Sequence, residues 1–113
     1  MKHLRDSGCR LCPLNEGCLS VQIGGVGSDT PDVLFVGEAP GAEEDQRGIP
    51  FVGPSGQLLR RCIEEFGISE YKYRITNSVR CRPPGNRTPK TKEVAACAPH
   101  LMEEIEKYNP RIV

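Results

Sequence analysis

The residues with the clearest chemical potential in this sequence are its six cysteines. Cys9 and Cys12 form a C-x2-C pair, Cys81 lies far downstream, and Cys97 follows Cys81 with fifteen residues between them. Two thiolates two residues apart can reach one metal centre from a turn, and two more complete the four-thiolate shell of zinc or of a [4Fe-4S] cluster. The spacing alone leaves open a cluster, a zinc ion or thiols without metal.

The two remaining cysteines need a different explanation. Cys62 falls on the apolar face of a predicted helix, so we expect a small buried hydrophobic side chain there. Cys18 is close enough in sequence to Cys9 and Cys12 to be a ligand. Because six thiols exceed one four-thiolate shell, the role of Cys18 stays open.

Charge is unevenly distributed although the formal net charge is zero. Between Tyr71 and Lys92 the sequence has no acid and seven bases, which are Lys72, Arg74, Arg80, Arg82, Arg87, Lys90 and Lys92. Part of this segment, RCRPPGNRTP, predicts a rigid basic loop. Such a segment is either a solvated face or a phosphate-binding surface.

Length and composition limit the class of protein. A chain of 113 residues with 37% apolar residues fits one small domain, and we divide it into a cysteine-containing segment, 1–30, and an α/β portion, 31–113. The start has no signal-peptide pattern, and no run approaches the roughly 18 apolar residues of a membrane span. We therefore expect a cytoplasmic monomer with reduced thiols and no membrane contact.

The elements that must position these residues alternate between strands and helices. Residues 1–30 predict irregular structure, 32–36 (DVLFV) a buried strand, 73–79 (YRITNSV) a second strand, and the final PRIV the beginning of a third. A strand, helix, strand, helix, strand order predicts a parallel sheet.

Two helices are predicted between the strands. In the first, the apolar face consists of Leu58, Leu59, Cys62, Ile63 and Phe66, and Gly67 closes the helix. The second runs from about Thr91 to Tyr108, where Pro99 should break or kink it.

Four motifs occur in order along the chain, namely GEAPGAEED, GIPFVGPSGQLL, ITNSVRCRPPGNRTP and C-x-PHL. Together they resemble the family 4 uracil-DNA glycosylases, iron-sulfur enzymes of DNA repair. The resemblance covers this chain from end to end and corresponds to the N-terminal portion of that domain, with the C-terminal part missing. It implies a three-layer α/β fold, in which a central parallel sheet lies between helices, and a [4Fe-4S] cluster held by Cys9, Cys12, Cys81 and Cys97.

The same resemblance implies roles in a uracil pocket. An enzyme acting on a base in DNA must flip the base out, stack on its face and read its edge. Phe51 takes the stacking position, and Ala39 lies in a turn whose backbone amides contact uracil. Asn77 offers one amide donor and one acceptor, which match uracil O4 and N3-H and disfavour the reversed edge of cytosine.

Catalytic roles fall on Glu38, in the turn that places a water-activating group, and on Glu44, which is expected near uracil C5. The expected reaction is hydrolysis of the N-glycosidic bond with negative charge growing on uracil O2. In the family a histidine of a downstream HPS-type motif donates to O2. His3 and His100 do not match that motif, so we expect little activity from this chain alone.

Uracil-containing DNA is the expected partner. Arg80, Arg82 and Arg87 flank Cys81, so a cluster that fixes this loop would also present their guanidinium groups to phosphates. One alternative is a non-catalytic four-cysteine metal module that binds nucleic acid. Another is a related branch with altered base preference, against which Asn77 and Glu44 argue.

Overall fold

The computed structural model describes residues 11–113, so Cys9 and His3 lie outside the described residues. The strands are β1 (Val26–Gly27), β2 (Val33–Gly37) and β3 (Tyr73–Asn77), and the helices are α1 (Ala42–Arg47), α2 (Pro54–Glu65) and α3 (Thr91–Tyr108). Short 3-10 turns occur at Pro13–Glu16, Ile68–Glu70 and Pro84–Asn86. Within the described part, no helix is long and apolar enough to cross a membrane.

The sheet has the order β1, β3, β2. Strands β2 and β3 are parallel and in register from Val33 opposite Tyr73 to Gly37 opposite Asn77. Ile112 forms a further parallel bridge to Val33, where the sequence predicts the next strand. The carboxyl ends of β2 and β3 therefore lie side by side, which brings the motifs that follow each strand to one edge.

Strand β1 adds an antiparallel edge to the predicted parallel sheet, since it pairs with β3 antiparallel. It also lies in the segment expected to be irregular. Two residues are too few to show an alternating pattern, and Gly27 adopts a φ of 128°. A Cβ atom there would lie 2.6 Å from the Tyr73 carbonyl oxygen, so the close pairing requires glycine.

Helix α2 begins earlier than its apolar pattern predicts, with Gly53 as an extended N-cap and Pro54 in the first turn. Gly67 follows the helix with a φ of 74°. Of the five predicted core positions only Ile63 is buried; Leu58 is 55% exposed, Phe66 is 76% exposed, and Cys62 is half-buried rather than buried. The helix therefore presents an apolar surface that the described residues leave uncovered.

Helices α1 and α3 differ from expectation in opposite ways. No helix was predicted in the acidic segment after β2, which forms the six-residue helix α1. Helix α3 has the predicted bounds and continues through Pro99 without a break. Buried contacts on both sides of Pro99, through Glu93 and Glu104, hold the helix where the proline removes one backbone hydrogen bond.

Candidate functional site

A pocket of about 360 Å³ opens at the carboxyl edge of β2 and β3. It brings together six of the predicted functional residues, which are Glu38, Ala39, Glu44, Phe51, Asn77 and Arg87. The turn after β2, the first turn of α1, the amino end of α2 and the loop after β3 supply the walls. Pro83 and Asn86 also line the pocket; both belong to the motif ITNSVRCRPPGNRTP, but neither was predicted as a site residue.

Asn77, the last residue of β3, carries the most specific feature of the pocket. Its side chain is buried, with 3% of the residue exposed, and Oδ1 has no hydrogen-bond partner among residues 11–113. Buried polar atoms without a partner are rare, because desolvation costs about 1–3 kcal/mol when no hydrogen bond replaces water. The acceptor is therefore suited to a donor on a ligand.

Phe51 is held in an unusual backbone conformation, with a φ of 57°. For a bulky residue this left-handed conformation is strained and occurs mainly where the surroundings enforce it. Arg60 Nε-H donates to the Phe51 carbonyl oxygen at 3.2 Å. A Cβ atom on Gly56 would overlap the Phe51 backbone, so the GPSG glycine permits this close approach.

The ring of Phe51 and the amide of Asn77 meet over Gly37. A Cβ atom at position 37 would overlap Phe51 Cζ and lie 2.6 Å from Asn77 Oδ1. The stacking candidate and the edge-reading candidate are therefore neighbours, as the sequence predicts. Gly37 and Gly56 were not predicted as site residues, although their positions beside the motif loops were a usable signal.

The Glu44 carboxylate connects the two walls of the pocket. Oε1 accepts from the Gly41 N-H at 2.9 Å, and Oε2 accepts from the N-H groups of Val52 and Gly53 at 2.9 and 2.7 Å. Burial raises the pKa of Glu44, but these backbone donors together lower it below the ordinary value. Glu44 is therefore a charged group that fixes the loop containing Phe51.

Asp45, which follows Glu44 in α1, was not predicted as a functional residue, and the structure buries it. It is 2% exposed, and Oδ1 accepts from the N-H groups of Leu19 and Ser20 at 3.0 and 2.8 Å. The Ser20 hydroxyl donates to the Asp45 carbonyl oxygen. The two adjacent carboxylates of α1 therefore bind different parts of the chain. Glu44 binds the loop that contains Phe51, and Asp45 binds the cysteine-containing segment.

The turn after β2 is pinned to the chain after β3. The Ser78 N-H donates to the Gly37 carbonyl oxygen at 2.9 Å, and the Val79 N-H donates to that of Glu38 at 3.0 Å. The Glu38 side chain is exposed at the pocket rim, and Ala39 is half-buried. Both residues lie where the sequence places them, and their roles stay predictions.

The three predicted DNA-binding arginines occupy different environments. Arg80 is 4% exposed, and its guanidinium contacts Glu104 and the Asn77 carbonyl oxygen. We correct the expectation that Arg80 faces phosphates, because its charge is buried and paired. Arg82 and Arg87 are half-buried at the loop surface.

Arg87 is also part of an ion pair. Its two terminal nitrogens donate to the two oxygens of Glu93 at 2.9 and 2.7 Å, and the Lys90 N-H donates to the same carboxylate. The hydrogen bond from Arg87, the largest contribution, lowers the pKa of Glu93 to about 2. The pair fixes the basic loop to the start of α3 while Arg87 lines the pocket.

A second, much smaller cavity of about 10 Å³ contains three of the four predicted ligands, namely Cys12, Cys81 and Cys97, together with Arg80 and His100. Cys9, the fourth, lies outside the described residues. Between residues 11 and 113 no three His, Cys, Asp or Glu side chains are arranged to hold one metal ion. The three thiols nevertheless line one cavity.

Cys81 and Cys97 are buried, whereas Cys12 is half-buried. Burial raises the pKa of Cys97 to about 11. The Gln22 N-H donates to Cys81 Sγ at 3.2 Å, and Gln22 itself adopts the left-handed backbone conformation, with a φ of 58°. Thiolates in such a setting need a positive partner, which a metal centre supplies.

Cys18, whose role the sequence leaves open, lies beside Cys81. Both are in a buried cluster that consists of Leu14, Cys18, Val21, Val79 and Cys81. Contact with the Cys81 thiol lowers the pKa of Cys18. This cluster joins the cysteine-containing segment to the chain that follows β3.

Comparisons with known proteins agree with this geometry. A family profile described as the uracil DNA glycosylase superfamily matches residues 25–113. Type-4 uracil-DNA glycosylases of Thermotoga maritima and Pyrobaculum aerophilum are each 46% identical over 109 residues, which cover 96% of this chain and 56% and 55% of the relatives. A type-5 uracil-DNA glycosylase of Pyrobaculum aerophilum is 36% identical over 72% of this chain. The chain spans about half the length of the curated relatives it matches.

Proposed function

The chain belongs to the uracil DNA glycosylase superfamily, and from this we propose that it binds uracil flipped out of DNA and contributes to hydrolysis of the N-glycosidic bond. The observation that carries the proposal is the buried Oδ1 of Asn77, which has no partner within the described residues. An acceptor of this kind gains a hydrogen bond when a base with a matching donor enters.

Uracil has the matching edge. Its N3-H can donate to Asn77 Oδ1 while its O4 accepts from the Asn77 amide nitrogen. Cytosine presents an acceptor at N3 and a donor at N4, so the same amide orientation would meet it with like groups. The loss of such a bidentate contact costs about 1–3 kcal/mol, which is enough to select one base over the other.

Phe51 supplies the stacking surface in this proposal. Its ring contacts Gly37 next to the Asn77 amide, so a base that reaches the amide lies against the ring. Base stacking on an aromatic side chain is worth about 1–3 kcal/mol. The strained backbone of Phe51 and the hydrogen bond from Arg60 keep the ring in place before the base arrives.

We assign different tasks to the two carboxylates. Glu38 is exposed at the rim and is the candidate for orienting the attacking water. Glu44 is occupied by three backbone donors and keeps its charge, so it shapes the wall near uracil C5 and does not act as a proton carrier. The negative charge that grows on uracil O2 requires a hydrogen-bond donor, which accelerates the reaction more than a strong base does.

For the cysteines we propose a [4Fe-4S] cluster held by Cys9, Cys12, Cys81 and Cys97. A cluster binds each thiolate through a different iron, whereas zinc requires all four around one ion. Three of these thiols line one cavity, and the similarity to type-4 uracil-DNA glycosylases favours the cluster. When bound, the cluster supplies crosslinks between distant parts of the chain, since glycosidic hydrolysis moves no electrons.

DNA contacts are proposed for Arg82 and Arg87, which lie on the loop that Cys81 begins. We also propose that the protein is a monomer. An enzyme that repairs DNA must reach the genome, and in prokaryotes such as its relatives this places it in the cytoplasm.

The pocket is tested by the affinity of the chain for two single-stranded oligonucleotides that differ in one base, deoxyuridine or deoxycytidine. We expect the unmodified chain to prefer deoxyuridine by about tenfold or more, since each good bidentate contact is worth about 1–3 kcal/mol. Asn77→Asp should remove the preference, whereas Asn109→Asp, at the exposed end of α3, should retain it. Equal affinity for both oligonucleotides would instead favour a non-catalytic nucleic-acid-binding module.

The metal is tested separately by iron, acid-labile sulfide and zinc analysis of anaerobically purified protein. We expect iron and sulfide in equal amounts and little zinc. Stoichiometric zinc without sulfide would contradict the cluster.

A further inference from the structure

We propose that Arg80, anchored by Glu104, is a positioning residue that holds Asn77 in the orientation that reads the base. This inference rests on the proposed function of the pocket, because it gives the edge-reading amide its support. The sequence placed Arg80 among the DNA contacts and gave Glu104 no role. The geometry points to a buried connection from α3, through Arg80, to the end of β3.

The first part of the connection is the contact between Arg80 and Asn77. Arg80 Nε-H donates to the Asn77 backbone carbonyl oxygen at 2.7 Å, while NH2 donates to Glu104 Oε1 at 2.9 Å. The Arg80 side chain is 5% exposed. A planar guanidinium that meets two acceptors in fixed directions restrains both of them more than a flexible ammonium does.

The second part is the anchoring of Glu104, which is 7% exposed. Oε1 also accepts from the Thr76 hydroxyl at 2.7 Å, and Oε2 accepts from Arg74 Nε at 2.6 Å. The Arg74 guanidinium lies 3.8 Å from the centre of the Tyr108 ring. Burial raises the pKa of Glu104, but Arg74, Thr76 and Arg80 together lower it. The carboxylate is therefore charged and fixed on every side that the structure describes.

Asn77 needs such support because of its position. It is the final residue of β3, and the chain leaves the sheet immediately after it. Its side-chain Oδ1 accepts no hydrogen bond from the described residues that could hold the amide in place. The direction of a side chain follows from the backbone at its own Cα, and binding groups must be held within about 0.5 Å of their working geometry. Arg80 restrains that backbone by donating to the Asn77 carbonyl oxygen, in addition to the strand pairing of Asn77 with Gly37.

Arg80 also lines the small cavity that contains Cys12, Cys81 and Cys97. Its carbonyl oxygen accepts from the Ile23 N-H at 2.7 Å, which joins it to the segment that follows the first cysteines. The same residue thus contacts the thiol environment with its backbone and the base-reading residue with its side chain. Arg80 therefore contributes both to the structure around the cysteines and to the orientation of Asn77.

A matched pair of substitutions separates positioning from stability. Arg80→Met and Arg74→Met each remove one of the two arginines of Glu104, but only Arg80 contacts Asn77. Both should lower the unfolding midpoint in urea by similar amounts. At a temperature where both variants are folded, Arg80→Met should reduce the deoxyuridine preference about tenfold and Arg74→Met should leave it unchanged. Arg80→Lys, which retains a donor for the Asn77 carbonyl, should recover most of the preference.

The inference is overturned if both methionine variants reduce the preference equally, or if Arg80→Lys recovers none of it. A measurement on the unmodified chain is independent of variant folding: NMR should find the Arg80 Nε proton protected from exchange with water, and rapid exchange would contradict the contact. If the unmodified chain shows no base preference, the proposed function fails. In that case the inference is tested by the NMR resonance of the Asn77 side-chain amide. Arg80→Met should shift this resonance and Arg74→Met should not.

Discussion

The two cavities of this molecule differ in almost every physical respect. The pocket at the sheet edge has a volume of about 360 Å³ and contains a buried acceptor without a hydrogen-bond partner in residues 11–113, whereas the cysteine cavity has about 10 Å³ and is bordered by thiols. The first is suited to a ligand that enters and leaves, and the second to a group that remains. The two are nevertheless separated by only the short segment from Asn77 to Cys81.

Different forces hold the two regions together. The pocket walls are joined by backbone hydrogen bonds to one carboxylate, Glu44, and by close approaches at Gly37 and Gly56. The cysteine side is held by burial of small apolar residues such as Leu14 and Val79. Substitutions that act on one kind of force should therefore affect one region first.

The largest effect is expected from Gly56→Ala, which tests whether the pocket can be damaged alone. The added methyl group would overlap the Phe51 backbone, and relief of such overpacking costs about 1–3 kcal/mol of unfolding free energy. Displacement of Phe51 should also weaken binding of the deoxyuridine oligonucleotide by tenfold or more, given the stacking energy of about 1–3 kcal/mol. Iron content should stay normal.

The matched control is Gly24→Ala, because an added Cβ there has nothing within 4 Å. It should change the unfolding free energy by less than about 0.5 kcal/mol. If Gly56→Ala lowers the iron content in proportion to the binding loss, the two regions are not separable in this way.

Asp45→Asn should instead affect both regions, because α1 connects them. The asparagine amide oxygen can still accept a hydrogen bond, but the N-H groups of Leu19 and Ser20 no longer share a charged carboxylate. We expect a loss of about 2 kcal/mol in urea unfolding, together with lower iron content. Arg47→Gln, on the exposed side of α1, serves as the control. Full iron retention in Asp45→Asn would remove α1 from the connection.

A pH titration should loosen the basic loop before it affects the cysteine side. The folded pKa of Glu93 is about 2 against an ordinary value of 4.5. Because the folded value is depressed, the stability from the Arg87 pair is present above 4.5 and is lost as pH falls toward 2. The unfolding free energy of the unmodified chain and of Glu93→Gln should therefore converge over this range. A constant difference between them would contradict the assignment.

The sequence predicts which residues line the pocket better than it predicts which residues hold them in place. Phe51, Asn77 and Glu44 fall together in the pocket because their motifs follow the ends of parallel strands, and strand ends can be read from apolar runs. The spacing of Cys12, Cys81 and Cys97 likewise anticipates a shared cavity.

The supports were missed because they depend on tertiary contacts. Asp45 and Glu104 look like ordinary surface acids in a charged helix until the folded chain buries them. Arg80 belongs to a run of bases, and nothing in that run distinguishes a buried guanidinium from an exposed one. The prediction that the apolar face of α2 is buried was wrong for the opposite reason. Leu58 and Phe66 have the spacing of core residues, but no part of residues 11–113 covers them.

The smallest effect is expected from Arg82→Gln, which tests whether the loop between the two cavities contacts DNA without reading its sequence. Arg82 Nε-H donates to Asn86 Oδ1 at 2.7 Å, which directs the guanidinium along the loop surface. Each phosphate contact on single-stranded DNA contributes about 0.7 to the slope of log affinity against log salt, so the slope should fall by about 0.7. Affinity for the deoxyuridine and deoxycytidine oligonucleotides should decrease equally, by a few-fold, because a phosphate contact carries no base information. Lys107→Gln removes the same charge near the end of α3 and should leave the slope unchanged. A change in base preference in Arg82→Gln would mean that this loop shapes the pocket, and the two cavities would then be parts of one site.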